Sequence, residues 1–125
     1  MLLLPLLSPA IATGPAAPAP APSASSPDFA APAFDCTRAV APDELAVCGD
    51  PLLSELDAIM TDFYRRLRHY TRNFDNAMGL QGQLVGEARD FLRRRAACGA
   101  DRACLEKAYR ARIRQLLRWW TRAME

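Results

Sequence analysis

Histidine is nearly absent from this chain of 125 residues: His69 is the only one, so neither a histidine triad nor a histidine-based metal cluster is available. At the end of a helical stretch beside Tyr70, it reads as an ordinary surface residue. No run of about 20 apolar residues is present, which excludes a membrane-spanning helix. No serine stands in a nucleophile-elbow pattern and no glycine-rich loop could cradle a phosphate. The strict apolar/polar alternation that marks a half-buried strand is missing after residue 34. These absences leave no recognisable catalytic constellation, cofactor site or metal site.

What is present divides into three parts. Residues 1–12 form an apolar segment ending on Ala10-Ile11-Ala12, a small-x-small pattern that reads as signal-peptide-like. Residues 13–33 are almost wholly Ala, Pro and Ser, with six prolines, and cannot bury enough apolar surface to fold; they read as a disordered linker. The remaining residues, 34–125, suffice for one small domain.

All four cysteines fall in that domain, as two close pairs, Cys36/Cys48 and Cys98/Cys104. Their C-x11-C and C-x5-C spacings match neither zinc knuckles nor redox C-x-x-C motifs. Behind an export-like N-terminus they read as structural disulfides, and a periplasmic or secreted location follows. Of the three connectivities open to four cysteines, local pairing is expected.

Helical periodicity dominates the domain. Pro42-Asp43-Glu44 opens a short helix ending near Cys48, with acids in its first turn where the helix dipole favours them. Asp50 is an N-cap and Pro51 a first helical residue for a helix running to about Tyr70. Thr71–Gln83, with two Asn and two Gly, reads as a loop or a frayed helix start. A further helix spans roughly 84–97 with Gly99 as its stop, and Asp101 caps a last one. The fold class is all-α. The expected core is Leu56, Ile59, Phe63, Leu84, Phe91, Leu92, Tyr109, Ile113 and Leu116. Trp119 and Trp120 cannot both face inward; one should pack beside Leu116 and the other offer an interface or membrane-surface contact.

Charge is divided along the chain. Residues 35–64 carry seven acids and one base; residues 65–125 carry fifteen bases and six acids. A uniformly cationic nucleic-acid binder would not look like that, and no nucleic-acid partner is expected. Glu87 and Asp90 read as partners for nearby arginines such as Arg94 rather than as a catalytic pair. The arginines Arg93-Arg94-Arg95 and Arg110, Arg112, Arg114, Arg118 and Arg122 read as a solvated face, or as a site for phosphates or anionic envelope polymers.

Particular residues carry a resemblance. They are Phe34-Asp35-Cys36, Pro42-x-Glu44, Cys48-x-Asp50-Pro51-x-Leu53, Leu56-Asp57 and Tyr64 in the first half. In the second half they are Leu84-x-x-Glu87, Arg89, Phe91-Leu92, Arg95-x-x-Cys98-Gly99, Cys104-Leu105, Tyr109, Arg112-Ile113 and Leu116. On these residues the chain resembles the LprI-type lysozyme-inhibitor family over nearly all of 34–125. It departs from that pattern at Phe91 (for Trp), Ala88 (for Gln), Ala96 (for Asp) and Ala41 (for Ser or Thr).

The resemblance implies a four-cysteine helical domain that inhibits lysozyme-type peptidoglycan hydrolases without catalysis. Its contact surface is expected at Asp43, Glu44, Asp50, Glu55 and Asp57, where negative charge would steer the domain toward a cationic enzyme. Two alternatives accompany that expectation. The acids could instead face the basic helices of their own domain, or the arginine-rich helix faces could dock an anionic partner as an assembly module of the envelope. The sequence does not specify an oligomeric state.

Overall fold

The computed structural model describes Gly14, residues 32–74 and residues 77–125. The signal-like segment 1–12 and nearly all of the linker 13–33 lie outside the described residues. Four helices follow a short 3-10 turn at Cys36–Arg38: α1 (Pro42–Gly49), α2 (Pro51–Thr71), α3 (Ala77–Cys98) and α4 (Arg102–Met124). Among the described residues there is no strand, so the all-α expectation holds.

The boundaries follow from local chemistry. The Asp50 carboxylate accepts from the backbone N–H groups of Leu52 (2.9 Å) and Leu53 (3.1 Å), two of the donors a helix start leaves without partners. Asp101 does the same for Cys104 N–H at 3.1 Å and opens α4. Gly99 carries φ +57° after the last turn of α3, a left-handed stop that a Cβ would strain. Ala41 caps α1 with no side-chain hydrogen bond, as expected from its missing hydroxyl.

Two disulfides form, Cys36–Cys48 and Cys98–Cys104, in the local pairing expected. The first holds the 3-10 turn to the end of α1, and the second closes the α3–α4 turn over Gly99. By loop entropy each contributes on the order of 2–3 kcal/mol. Helices α2 and α4 run parallel: Arg102 bridges Asp50 at one end, while the Tyr70 and Trp120 rings meet at 5.6 Å at the other. Helix α3 returns antiparallel to both.

The core has two halves. Near the disulfides it is Val47, Leu53, Leu56, Phe91, Leu105 and Tyr109; toward the far end it is Leu67, Leu84, Leu116 and Trp119. Of the residues expected inside, Leu56, Leu84, Phe91, Tyr109 and Leu116 are buried, and Phe63 and Ile113 pack half-buried against them. Ile59 (37% exposed) and Leu92 (48%) are corrections. The apolar stripe on α2 is wider than the strip its neighbours cover, so Ile59 falls off its edge. Leu92 turns one position past Phe91 and lines an open cavity. Trp119, not Trp120, is the tryptophan in the core beside Leu116.

Two boundaries also move. Helix α3 begins at Ala77, so of Thr71–Gln83, expected as a loop or a frayed helix start, Ala77–Gln83 is helical. Gln81 accounts for this. Its amide donates to the Thr71 hydroxyl (2.7 Å) and the Arg68 carbonyl (3.2 Å), and its oxygen accepts from Arg68 Nε (3.0 Å), docking the first turns of α3 on the end of α2. The domain also starts slightly early. Ala33, assigned to the linker, donates its backbone N–H to Asp57 Oδ2 at 2.8 Å.

Phe91 is 1% exposed and meets the Tyr109 ring at 5.1 Å. Phe91→Ala is expected to lower stability by about 3–5 kcal/mol, a large share of what a domain this small has. Denaturant unfolding checks it, and a midpoint equal to that of the parent would place Phe91 outside the core.

Candidate functional site

Helical phase places charged residues inside this bundle. Asp43 lies four before Val47, Asp57 four after Leu53, Arg95 four after Phe91, and Arg112 between Tyr109 and Leu116. Each therefore shares the inward face of its helix, and all four are buried. They assemble into two networks.

The first is centred on Arg95. Its Nε donates to Asp43 Oδ2 at 2.7 Å, while its Nη1 lies 3.8 Å from Asp57 Oδ1 and 3.5 Å from the Tyr109 hydroxyl. Tyr109 donates to Asp57 Oδ1 at 2.8 Å, and Ala33 N–H satisfies the other oxygen. The guanidinium lies 5.1 Å from the Phe34 ring centroid, a cation–π contact that closes the network toward the N-terminal side. Burial, and then the charge of Asp57 and the hydrogen bond to it, push the Tyr109 hydroxyl above the ordinary phenol range, so it stays a neutral donor. Every charged group here has a partner. The arrangement binds elements together and leaves no group free for chemistry.

The second network lies on α3 and α4. Arg112 Nη1 donates to Gln115 Oε1 (2.8 Å) and lies 3.6 Å from Glu87 Oε2, which also accepts from Trp119 Nε1 at 2.8 Å. Burial pushes the Arg112 guanidinium below its usual value, against the pull of Glu87, but a guanidinium remains charged at neutral pH. Beside it, Met60, Thr61, Tyr64, Ala88, Phe91 and Leu92 line a cavity of about 170 Å³ with Arg112. Among the described residues no group of His, Cys, Asp and Glu could hold a metal ion.

The acidic surface expected from the sequence does not exist as such. Asp43 (4% exposed) and Asp57 (2%) are inside, held by Arg95 and Tyr109. Asp50 caps α2 and pairs with Arg102. Glu44 and Glu55 are half-exposed on α1 and α2, and Asp62 pairs with Arg66. The opposed charges of the two halves of the chain are thus largely spent on each other. Glu87 and Asp90 do not act together either: Asp90 pairs with Arg93, and Glu87 with the buried Arg112 network.

Comparison with protein-family models, with curated proteins and with solved structures finds no match. The site must be judged on its own geometry.

That geometry favours the basic residues. Among the described residues Arg65, Arg72, Arg89, Arg94, Lys107, Arg114, Arg118 and Arg122 are exposed and have no carboxylate partner. Arg65, Arg72 and Arg118 lie on the halves of α2 and α4 that terminate together, Arg114 stands at the middle of α4, and Arg122 adds its guanidinium over the Trp119 ring at 4.3 Å; Arg89 and Arg94 are on α3 and Lys107 is near the start of α4. Arg72 at the C-cap of α2 and Arg122 in the last turn of α4 also suit the negative ends of the two helix dipoles. Sequence reasoning recognised this arginine series on α4 but not its meeting with the end of α2, because the parallel pairing of the two helices has no local signal.

Two outcomes follow. Arg95→Leu leaves Asp43 and Asp57 buried beside a single neutral hydroxyl and is expected to cost about 3–5 kcal/mol, whereas Tyr109→Phe should cost about 1–3 kcal/mol; thermal or denaturant melts compare them. For pH, burial raises the Asp50 carboxyl, but hydrogen bonds from Leu53, Arg102 and Leu52 outweigh it and hold the group below its usual 3.8. A depressed folded-state value contributes stability above the unfolded value that is lost as pH falls through the folded one. The acid limb of the melt should therefore flatten in Asp50→Asn. Tyr109 has the opposite sign: its contribution is complete below about 10 and lost as pH rises further, so Tyr109→Phe should flatten the alkaline limb. Unchanged limbs in these variants would contradict the assignments.

Proposed function

We propose that this domain is a non-catalytic binding module of the bacterial cell envelope, exported to the periplasm or beyond, that docks an anionic partner through the arginine-rich end of α2 and α4. The observation that carries the reading is the asymmetry of pairing. The acids that might have formed a surface, Asp43, Asp50 and Asp57, are engaged within the fold, whereas Arg65, Arg72, Arg114 and Arg118 have no acid to satisfy them. Export is supported by the two disulfides, which persist in oxidising compartments, and by the signal-like segment of the sequence. Among the described residues no helix is long and apolar enough to cross a membrane.

Inhibition of lysozyme-type peptidoglycan hydrolases is a second reading, supported by the resemblance. Most of the residues that carry the resemblance stand in disulfides, caps, the core and the Arg95 and Arg112 networks; Glu44, Arg89 and Leu92 do not. The majority accounts for a frame on which a contact surface could sit; of the five acids Glu44, Asp50 and Glu55 are half-exposed, and Asp50 is engaged as a cap and with Arg102.

Retention of the oxidised full-length protein on an anionic resin such as dextran sulfate tests the first reading. Arg65→Gln/Arg114→Gln/Arg118→Gln is expected to elute at clearly lower salt, because each exposed cation contributes to a screened, long-range attraction. Glu44→Gln/Glu55→Gln should elute no earlier than the parent. If the arginine variant is retained as well as the parent, the first reading is wrong. A panel of muramidases left fully active by micromolar protein would remove the second.

A further inference from the structure

Among the described residues no element covers the seam between α2 and α4 on the side away from α3. Along α4, Ile113, Leu117, Trp120 and Met124 recur at helical spacing, and along α2 so do Ile59, Phe63 and Tyr70. Phe63, Ile113 and Trp120 pack half-buried at the bottom of the seam. Ile59 (37% exposed), Tyr70 (42%), Leu117 (44%) and Met124 (68%) rise from it into solvent. Tyr70 and Trp120 join the two rows in ring contact. Arg114, one turn before Leu117, borders this apolar strip and Arg118 stands one turn on from Arg114, farther round α4, both exposed and unpaired; Arg66 on α2 is exposed with Asp62 as its partner.

The charges decide what can cover such a strip. A second copy of the chain packing here about a two-fold axis perpendicular to the helices would bring Arg114 and Arg118 against the same residues of its mate, with like charges across a desolvating interface. One about an axis along the strip would set them against Arg66 as well as Asp62. An anionic polymer would satisfy the arginines but leave Leu117, Met124, Ile59 and Tyr70 in water. A flat anionic surface with an apolar interior satisfies both. The aromatic rings and apolar side chains enter the headgroup boundary, and the arginines reach phosphate groups while their stems cover apolar surface.

We propose that the α2–α4 seam, formed by Ile59, Tyr70, Leu117, Trp120 and Met124 and flanked by Arg114 and Arg118, is a docking surface for an anionic lipid bilayer. This rests on the anionic-partner reading and specifies that partner.

Flotation of the oxidised full-length chain with vesicles of roughly one-third phosphatidylglycerol in phosphatidylcholine tests it, against vesicles of phosphatidylcholine alone. Binding is expected to the anionic vesicles, with a blue shift of tryptophan emission, and to weaken as salt is raised. Arg114→Gln and Arg118→Gln should each lower partitioning roughly fivefold. Leu117→Ser/Met124→Ser should lower it as well while leaving retention on dextran sulfate unchanged. The apolar segment 1–12 is common to every variant, so differences among them report the seam. All four positions are exposed, and matching melts confirm that each variant folds.

Equal flotation of the seam variants and the parent overturns the proposal. So does a dimer in sedimentation that Leu117→Ser/Met124→Ser dissociates. Retention on dextran sulfate without vesicle binding also overturns it but leaves the anionic-partner reading standing. Failure of both assays removes the two together.

Discussion

A single guanidinium holds this fold together. Arg95, projecting from α3, meets Asp43 of α1, Asp57 of α2 and Tyr109 of α4, while Phe34 lies against it from the N-terminal side. In a domain of about 90 residues the apolar core is modest, and a buried cation with specific partners contributes what apolar contacts lack, which is direction. Helices can slide along greasy faces at little cost, but they cannot slide past a bidentate ionic centre without leaving a charge unpaired. The register of all four helices therefore depends on the group that is most expensive to misplace.

The two disulfides act on the same end of the molecule. Cys36–Cys48 keeps the entry segment on α1, so that Phe34 and Ala33 stay over Arg95 and Asp57; Cys98–Cys104 fixes the turn that sets α4, and hence Tyr109, against α3. Covalent and ionic constraints are concentrated there. The opposite end is held by Leu67, Leu84, Leu116 and Trp119 and by the hydrogen bonds of Gln81 and Thr71, with no cross-link. The exposed Tyr70, Leu117 and Met124 and the unpaired Arg65, Arg72 and Arg118 lie on the half of the molecule toward that less constrained end. A rigid, stapled end and a surface rich in unpaired cations is an arrangement suited to presenting a binding face.

Internal pairing also explains why the acidic half of the sequence is a poor guide to a contact surface. Seven acids against one base over residues 35–64 suggest a negative patch. In the fold three of those acids meet Arg95 or Arg102 from the basic half, and a fourth meets Arg66. Charge segregated along the chain is consumed when its two halves pack against each other, and only the excess reaches the surface. That excess is positive, since bases outnumber acids in residues 34–125.

Local signals were enough for much of the architecture. Asp50-Pro51, Gly99 and Asp101 mark helix ends because caps and left-handed stops act within a few residues; the cysteine spacings allow short-range pairing; and the apolar period identifies Leu56, Phe91, Tyr109 and Leu116 as core. Asp43, Asp57, Arg95 and Arg112 also had a phase signal, since each is in step with buried apolar neighbours. Composition masked it, because a charged residue on a charged helix looks solvated until its partner is known. Other features had no local trace. The helical start of α3 depends on Gln81 reaching α2, and the exposure of Ile59 and Leu92 depends on how much of each helix its neighbours cover. The meeting of the two arginine series depends on α2 and α4 running parallel. Each is a relation between segments distant in sequence, and burial and pairing are properties of such relations, so only the tertiary structure decided them.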